Sequence, residues 1–147
     1  MKKCFLIAIS ICVVAFSGCT NNSYDNPKKT SPYEGTWALV ASGYYEEDCS
    51  EYEEVEELIA FNGSAMSIYF TKEQGYKIQN GYLIGCTMND FECEETMSYS
   101  IHNDQLYLDG DYQGNIKFEK GLLILYYDEG NPENDYYDKY QRVKGFK

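Results

Sequence analysis

The chain has 147 residues, with 12 Lys plus Arg against 24 Asp plus Glu and a formal charge of −12. Such an acidic balance excludes a nucleic-acid binder, which needs a basic face, and keeps the body off anionic membrane surfaces. The length fits one domain of ordinary size, and the 16 tyrosines favour strands and half-buried surfaces.

Met1-Lys2-Lys3 is followed by a nearly unbroken apolar run from Cys4 to Phe16. A charged start and a short apolar stretch make a secretory signal, too short to span a bilayer. The run ends Phe16-Ser17-Gly18-Cys19, which resembles the lipobox of bacterial lipoproteins. That resemblance implies a signal peptide over 1–18 and cleavage before Cys19. It also implies acylation of the Cys19 thiol and of the new amine, a durable membrane anchor. Thr20 follows the cysteine where an Asp would mark inner-membrane retention, so the resemblance implies the outer membrane, on either face. Removal of Lys2 and Lys3 leaves 10 basic against 24 acidic residues, a formal charge of −14. Residues 19–33 are rich in Asn, Ser, Thr, Pro and Lys and read as a flexible tether to a folded domain over 34–147.

From Thr36 the chain reads as short strands broken by turns. Thr36–Tyr45 comes first, then the acidic stretch 46–54, then Val55–Phe61. Asn62-Gly63 is a strong hairpin signal, and Ala65–Thr71 alternates with Met66, Ile68 and Phe70 on one face. Tyr76–Gln79, Asn80-Gly81 and Tyr82–Cys86 read as another hairpin. Cys93–His102, Gln105–Leu108, Tyr112–Phe118, Leu122–Tyr127 and Tyr136–Val143 follow, separated by Asn103-Asp104, Asp109-Gly110-Asp111, Glu119-Lys120-Gly121 and the stretch 128–135. About ten strands of this kind predict an all-β antiparallel meander curled on itself, since an open sheet would leave two edges and a wet apolar face.

Gly35-Thr36-Trp37, opening the first strand, resembles the G-x-W of lipocalins, and Arg142 falls where lipocalin-like proteins carry an arginine. The resemblance covers the body and implies a lipocalin-like barrel of about 8–10 strands, as in small bacterial outer-membrane lipoproteins. It also implies a structural pair in which Arg142 packs across Trp37 and closes the barrel base.

Connections of a meander alternate between its two ends. Parity therefore puts 46–54, 72–75, 87–92, 109–111 and 128–135 at one end, which gathers all three long stretches there, and the tight turns 62–64, 80–81, 103–104 and 119–121 at the other. Cys49, Cys86 and Cys93 fall at the long-loop end. An oxidising compartment permits a disulfide between any two, with Cys86–Cys93 the favoured pair because it staples a short loop.

The long-loop mouth is the candidate ligand site. Its candidate rim and interior residues are Tyr44, Tyr45, Tyr52, Met66, Ile68, Phe70, Met88, Phe91, Tyr136 and Tyr137. The expected function is non-catalytic binding of a small apolar ligand or a glycan. The alternative is a filled barrel whose loops contact an envelope protein. No cofactor and no metal are expected. The lone His102 has no nucleophile to serve, the cysteines lack metal-ligand spacing, and Asp109-Gly-Asp111 lacks an acid at loop position twelve. The acids from Glu46 to Glu57 read as a solvated charge run.

Overall fold

The computed structural model describes residues 31–127 and 135–147. Cys19, the signal 1–18 and most of the tether lie outside the described residues, as does the stretch 128–134.

Nine strands form one antiparallel sheet in the order β11-β10-β9-β8-β7-β4-β3-β1-β2, and β11 pairs back to β1, so the sheet closes in a ring. The strands are β1 (Gly35–Gly43), β2 (Ser50–Glu51), β3 (Glu57–Asn62), β4 (Ala65–Thr71), β7 (Phe91–His102), β8 (Gln105–Leu108), β9 (Asp111–Glu119), β10 (Leu122–Tyr127) and β11 (Tyr136–Arg142). Ring closure removes the free edges that an open meander would expose. Turn chemistry sets the registers. Asn103-Asp104, Asp109-Gly110 and Lys120-Gly121 each join directly paired strand ends, and every one of these residues has positive φ. Such mirror-image two-residue turns match the right-handed twist of the strands they connect.

Two apolar clusters follow from the alternation of side chains. Inside the ring, Trp37, Ile59, Phe61, Met66, Leu106, Ile116, Leu123, Leu125 and Tyr140 are buried together. A second cluster lies on the outer face, where Ala38, Val55, Leu58, Leu83, Cys86 and Phe91 are buried. It exists because the stretch between β4 and β7 leaves the ring. β5 (Ile78–Gln79) and β6 (Tyr82–Leu83) pair with each other, and β12 (Gly145–Phe146) joins β6 in parallel as a separate three-stranded sheet. This corrects the expectation that Tyr76–Gln79 and Tyr82–Cys86 are consecutive strands of the closed sheet: β4 pairs directly with β7. The physical reason is the outward face of β1 and β3. Ala38 and Leu58 point away from the ring interior and would be wet without Leu83, Ile78 and Phe146 above them.

The end carrying the Asn103-Asp104 and Lys120-Gly121 turns is closed. Arg142 lies over the Trp37 ring with Cζ 4.7 Å from the ring centroid. Its Nη2 donates to the carbonyls of Glu34 (2.5 Å) and Pro32 (3.4 Å). Trp37 Nε1 donates to the Tyr33 carbonyl at 2.8 Å, and Tyr33 stacks on Phe118 at 5.0 Å. The start of the domain is thereby strapped across the base of the ring.

Candidate functional site

Two strands left the ring, an even number, so the two ends keep the parity expected of the meander. The connections 44–56 and 72–90 both lie at the end opposite Trp37, as do Tyr127 and Asp135, which flank the stretch 128–134. At this end β1 changes partner along one edge. Its first half pairs with β3, from Gly35↔Phe61 to Ala38↔Leu58, and its second half pairs with β2 through Ala41↔Glu51 and Ser42↔Ser50. Residues 52–56 leave that edge, and Val55 turns outward to bridge Tyr76 and bury in the outer cluster. A cleft of about 550 Å³ opens there. Its apolar lining is Leu39, Phe70 and Tyr52, and its acidic lining is Glu53, Glu54, Glu56 and Glu57.

A bulge builds the polar cluster next to the cleft. The β1–β11 register shifts between Leu39 and Ala41, so Leu39 opposes Tyr140 and Ser42 opposes Asp138. One extra residue reverses the inside–outside alternation beyond it, which brings the Ser42 hydroxyl to the inner face. Ser42 Oγ donates to Asp138 Oδ1 at 2.5 Å. Tyr140 Oη donates to Glu57 Oε1 at 2.8 Å. Tyr127, facing inward from β10, shares hydrogen bonds with Asp138 and Tyr140. Two carboxylates and two tyrosines are thus linked just inside the mouth.

Burial dominates their electrostatics. It raises Glu57 above the usual carboxylate range, and the Asp138 charge adds to this, while the Tyr140 hydrogen bond works against it. Burial likewise raises Asp138, offset in part by the hydrogen bonds from Ser42 and Tyr127. Tyr127 is raised by burial and by the Asp138 and Glu57 charges. Tyr140 is raised by burial, by Tyr127 and by the same carboxylates. Both acids are raised by burial, and the Asp138 charge adds to the rise of Glu57. Among the described residues no lysine or arginine lines the cleft. Lys139 and Lys117 lie on the outer face instead, where Lys139 Nζ donates to the Glu46 carbonyl (2.6 Å) and Lys117 Nζ pairs with Glu46 Oε2 (2.9 Å).

The residues expected at the mouth divide. Tyr52 and Phe70 line the cleft. Tyr136 is half-buried with hydrogen-bond links to Ser42 and Tyr52, and Tyr44 meets it edge-on at 5.4 Å. Tyr44 and Tyr45 project, 60% and 56% exposed. Ile68 packs against the interior core and Met66 is buried within it, below the cleft. Tyr137 points outward and packs on Tyr126 at 4.8 Å. Met88 and Phe91 are corrected: both pack into the outer cluster, because the excursion between β4 and β7 turns them away from the mouth. Cys49, Cys86 and Cys93, the described cysteines, are free. The expected Cys86–Cys93 pair does not form, since Cys86 is buried in the outer cluster whereas Cys93 is exposed, its Sγ against the Glu95 carbonyl and Thr96. Among the described residues no group of three or more His, Cys, Asp or Glu side chains is placed to hold a metal ion.

Sequence reasoning missed Leu39, Ser42, Tyr127, Asp138 and Tyr140, and took Glu53, Glu54, Glu56 and Glu57 for a solvated run. A signal for the two key acids was present. Glu57 shares a strand phase with Ile59 and Phe61, and Asp138 shares one with Tyr140, so each is a carboxylate on the inward phase of its strand. No family model, curated protein or solved structure matches the chain.

Proposed function

We propose that the chain is a non-catalytic binding protein of the bacterial envelope. In this reading a lipocalin-like β-barrel is anchored to the outer membrane through lipidated Cys19 and takes a small ligand in the cleft at its long-loop end. The observation that carries it is the asymmetry of the ring. One end is packed with apolar and aromatic side chains and strapped by Arg142. The other holds a cleft with buried hydroxyls and carboxylates beside it. The lipobox resemblance supports the anchor and the location.

The lining also narrows the ligand. A wholly apolar molecule in this cleft would strip water from Glu57 and give it no hydrogen bond in return, which is costly. The ligand therefore carries hydrogen-bond donors beside an apolar part that covers Leu39 and Phe70. The reading is tested by native mass spectrometry of the full lipidated chain released from its own membrane in mild detergent. A bound small molecule is expected, and Leu39→Trp, which fills the cleft, removes it. A second reading, docking of an envelope protein, is favoured by the exposure of Tyr44 and Tyr45. It wins if no small molecule is bound and Tyr44→Ser with Tyr45→Ser abolishes a defined protein complex.

A further inference from the structure

We infer that the cleft recognises an organic cation, an amine whose ammonium group pairs with Glu57 while its apolar part lies against Leu39, Phe70 and the ring of Tyr52. The inference rests on the cleft being a ligand site and specifies the charge of what enters it.

The cleft itself is a cavity of mixed character, about 550 Å³, large enough for a small aromatic or alkyl amine with its first hydration waters. Its apolar members supply contact area but no preference of sign. The sign comes from the hydrogen-bond inventory. Glu57 uses Oε1 to accept from Tyr140, and its other oxygen takes no hydrogen bond from any described residue although the side chain lines the cleft. A carboxylate oxygen accepts only, so what completes it is a donor.

Among the described residues the countercharge is missing as well. Glu57 and Asp138 sit together inside the mouth, and the hydrogen bonds they receive come from the hydroxyls of Tyr140, Ser42 and Tyr127. The described salt bridges involve Lys117 and Lys120 with Glu46 and Glu119, all on the outer side. Carboxylates removed from water normally carry a cationic partner. Lys139, next to Asp138 in the chain, lies on the outer side, where its Nζ donates to the Glu46 carbonyl.

A ligand ammonium would supply both what the free oxygen needs, a donor, and what the pair needs, a positive charge. Charge-assisted hydrogen bonds of this kind are stronger than those of a neutral hydroxyl. Tyr52, at the cleft, offers an aromatic face to the same cation. Tyr140 acts as a positioning residue: by holding Oε1 it keeps the Glu57 side chain in one orientation.

The test uses the full lipidated chain in detergent and three probes of one shape: phenethylamine, 2-phenylethanol and 3-phenylpropionate. Each is titrated by calorimetry at pH 8. The amine is expected to bind at least tenfold more tightly than the alcohol, and the acid not to bind. Glu57→Gln keeps an acceptor for Tyr140 and removes the charge, and it is expected to weaken the amine at least tenfold and to weaken the alcohol much less. Asp138→Asn, which keeps an acceptor for Ser42, weakens the amine in the same sense. If Glu57→Gln fails to fold, Asp138→Asn and the three-probe comparison on the unmodified protein decide alone. Equal affinity for amine and alcohol overturns the inference and leaves the cleft a site for neutral, donor-rich ligands. No amine binding, while a native small molecule is bound and lost in Leu39→Trp, overturns the inference alone. No amine binding and no native small molecule overturn the cleft reading with it.

Discussion

Replacing Tyr140 with Phe removes one oxygen from a side chain that is 2% exposed and keeps its ring in place. The ring fills the same volume, so no cavity term enters, and the cost is that of the hydrogen bond to Glu57 at 2.8 Å together with the link to Tyr127. Loss of a hydrogen bond to a charged acceptor that is partly shielded from water costs about 1–3 kcal/mol, or roughly 4–12 °C in melting temperature for a domain of this size. The pH dependence is the sharper part. Burial holds Glu57 above its unfolded value, so this group stabilises the fold fully below the ordinary carboxylate range, and that contribution is lost as pH rises through the raised value. The Tyr140 hydrogen bond opposes the rise, so Tyr140→Phe raises Glu57 further. The loss of stability is then larger at pH 8, where the acid is ionised, than at pH 4, where it holds its proton in either protein. Urea denaturation at the two pH values measures this, and carbon NMR titration of the Glu57 carboxyl follows the shift directly. A cost that is equal at both pH values, or greater at pH 4, would refute the assignment of Tyr140 as donor to an ionisable Glu57.

Gly114 has φ +148°, and a Cβ there would lie 2.0 Å from the Tyr126 carbonyl oxygen. Gly114→Ala is therefore expected to cost about 3 kcal/mol or more, seen as a large fall in melting temperature or loss of folded protein; a melt unchanged from wild type contradicts the register of β9 against β10. Arg142→Lys keeps the charge but loses the planar contact with Trp37 and the donations from Nη2 to Glu34 and Pro32, and urea denaturation is expected to show a loss of about 1–2 kcal/mol. Thiol reactivity should follow position: pulsed alkylation of the reduced protein, read by peptide mass spectrometry, modifies the exposed Cys93 first. Cys49, held up by burial, follows more slowly, and the buried Cys86 reacts only on unfolding.

Part of the candidate site was legible because it depends on counting. Strand parity alone brings the long connections to one end, and it survived the misplacement of two strands because the number removed was even. Tyr52 was found in this way, and Phe70 through the period-two alternation of Ala65–Thr71. Met88 and Phe91 were not placed correctly, since nothing local to 72–90 says that the chain folds over the outside of β1 and β3 rather than continuing the ring. Leu83 and Phe146 would be equally well buried in either place; the choice is made by the outward-facing Ala38 and Leu58, far away in sequence.

By itself the sequence determined what depends on neighbours along the chain. The period-two alternation and the turn residues with positive φ specify antiparallel strands, and the N-terminal pattern specifies an expected address. The tertiary structure decided what depends on residues meeting across the fold: the bulge at Leu39/Ala41, the ring closure of β11 on β1, and with them the pairing of Glu57 with Tyr140 and of Asp138 with Ser42. A bulge reverses every later side chain on its strand, yet it is fixed by packing against the partner strand and leaves no local mark. For that reason nothing local showed that Ser42 turns inward to meet Asp138.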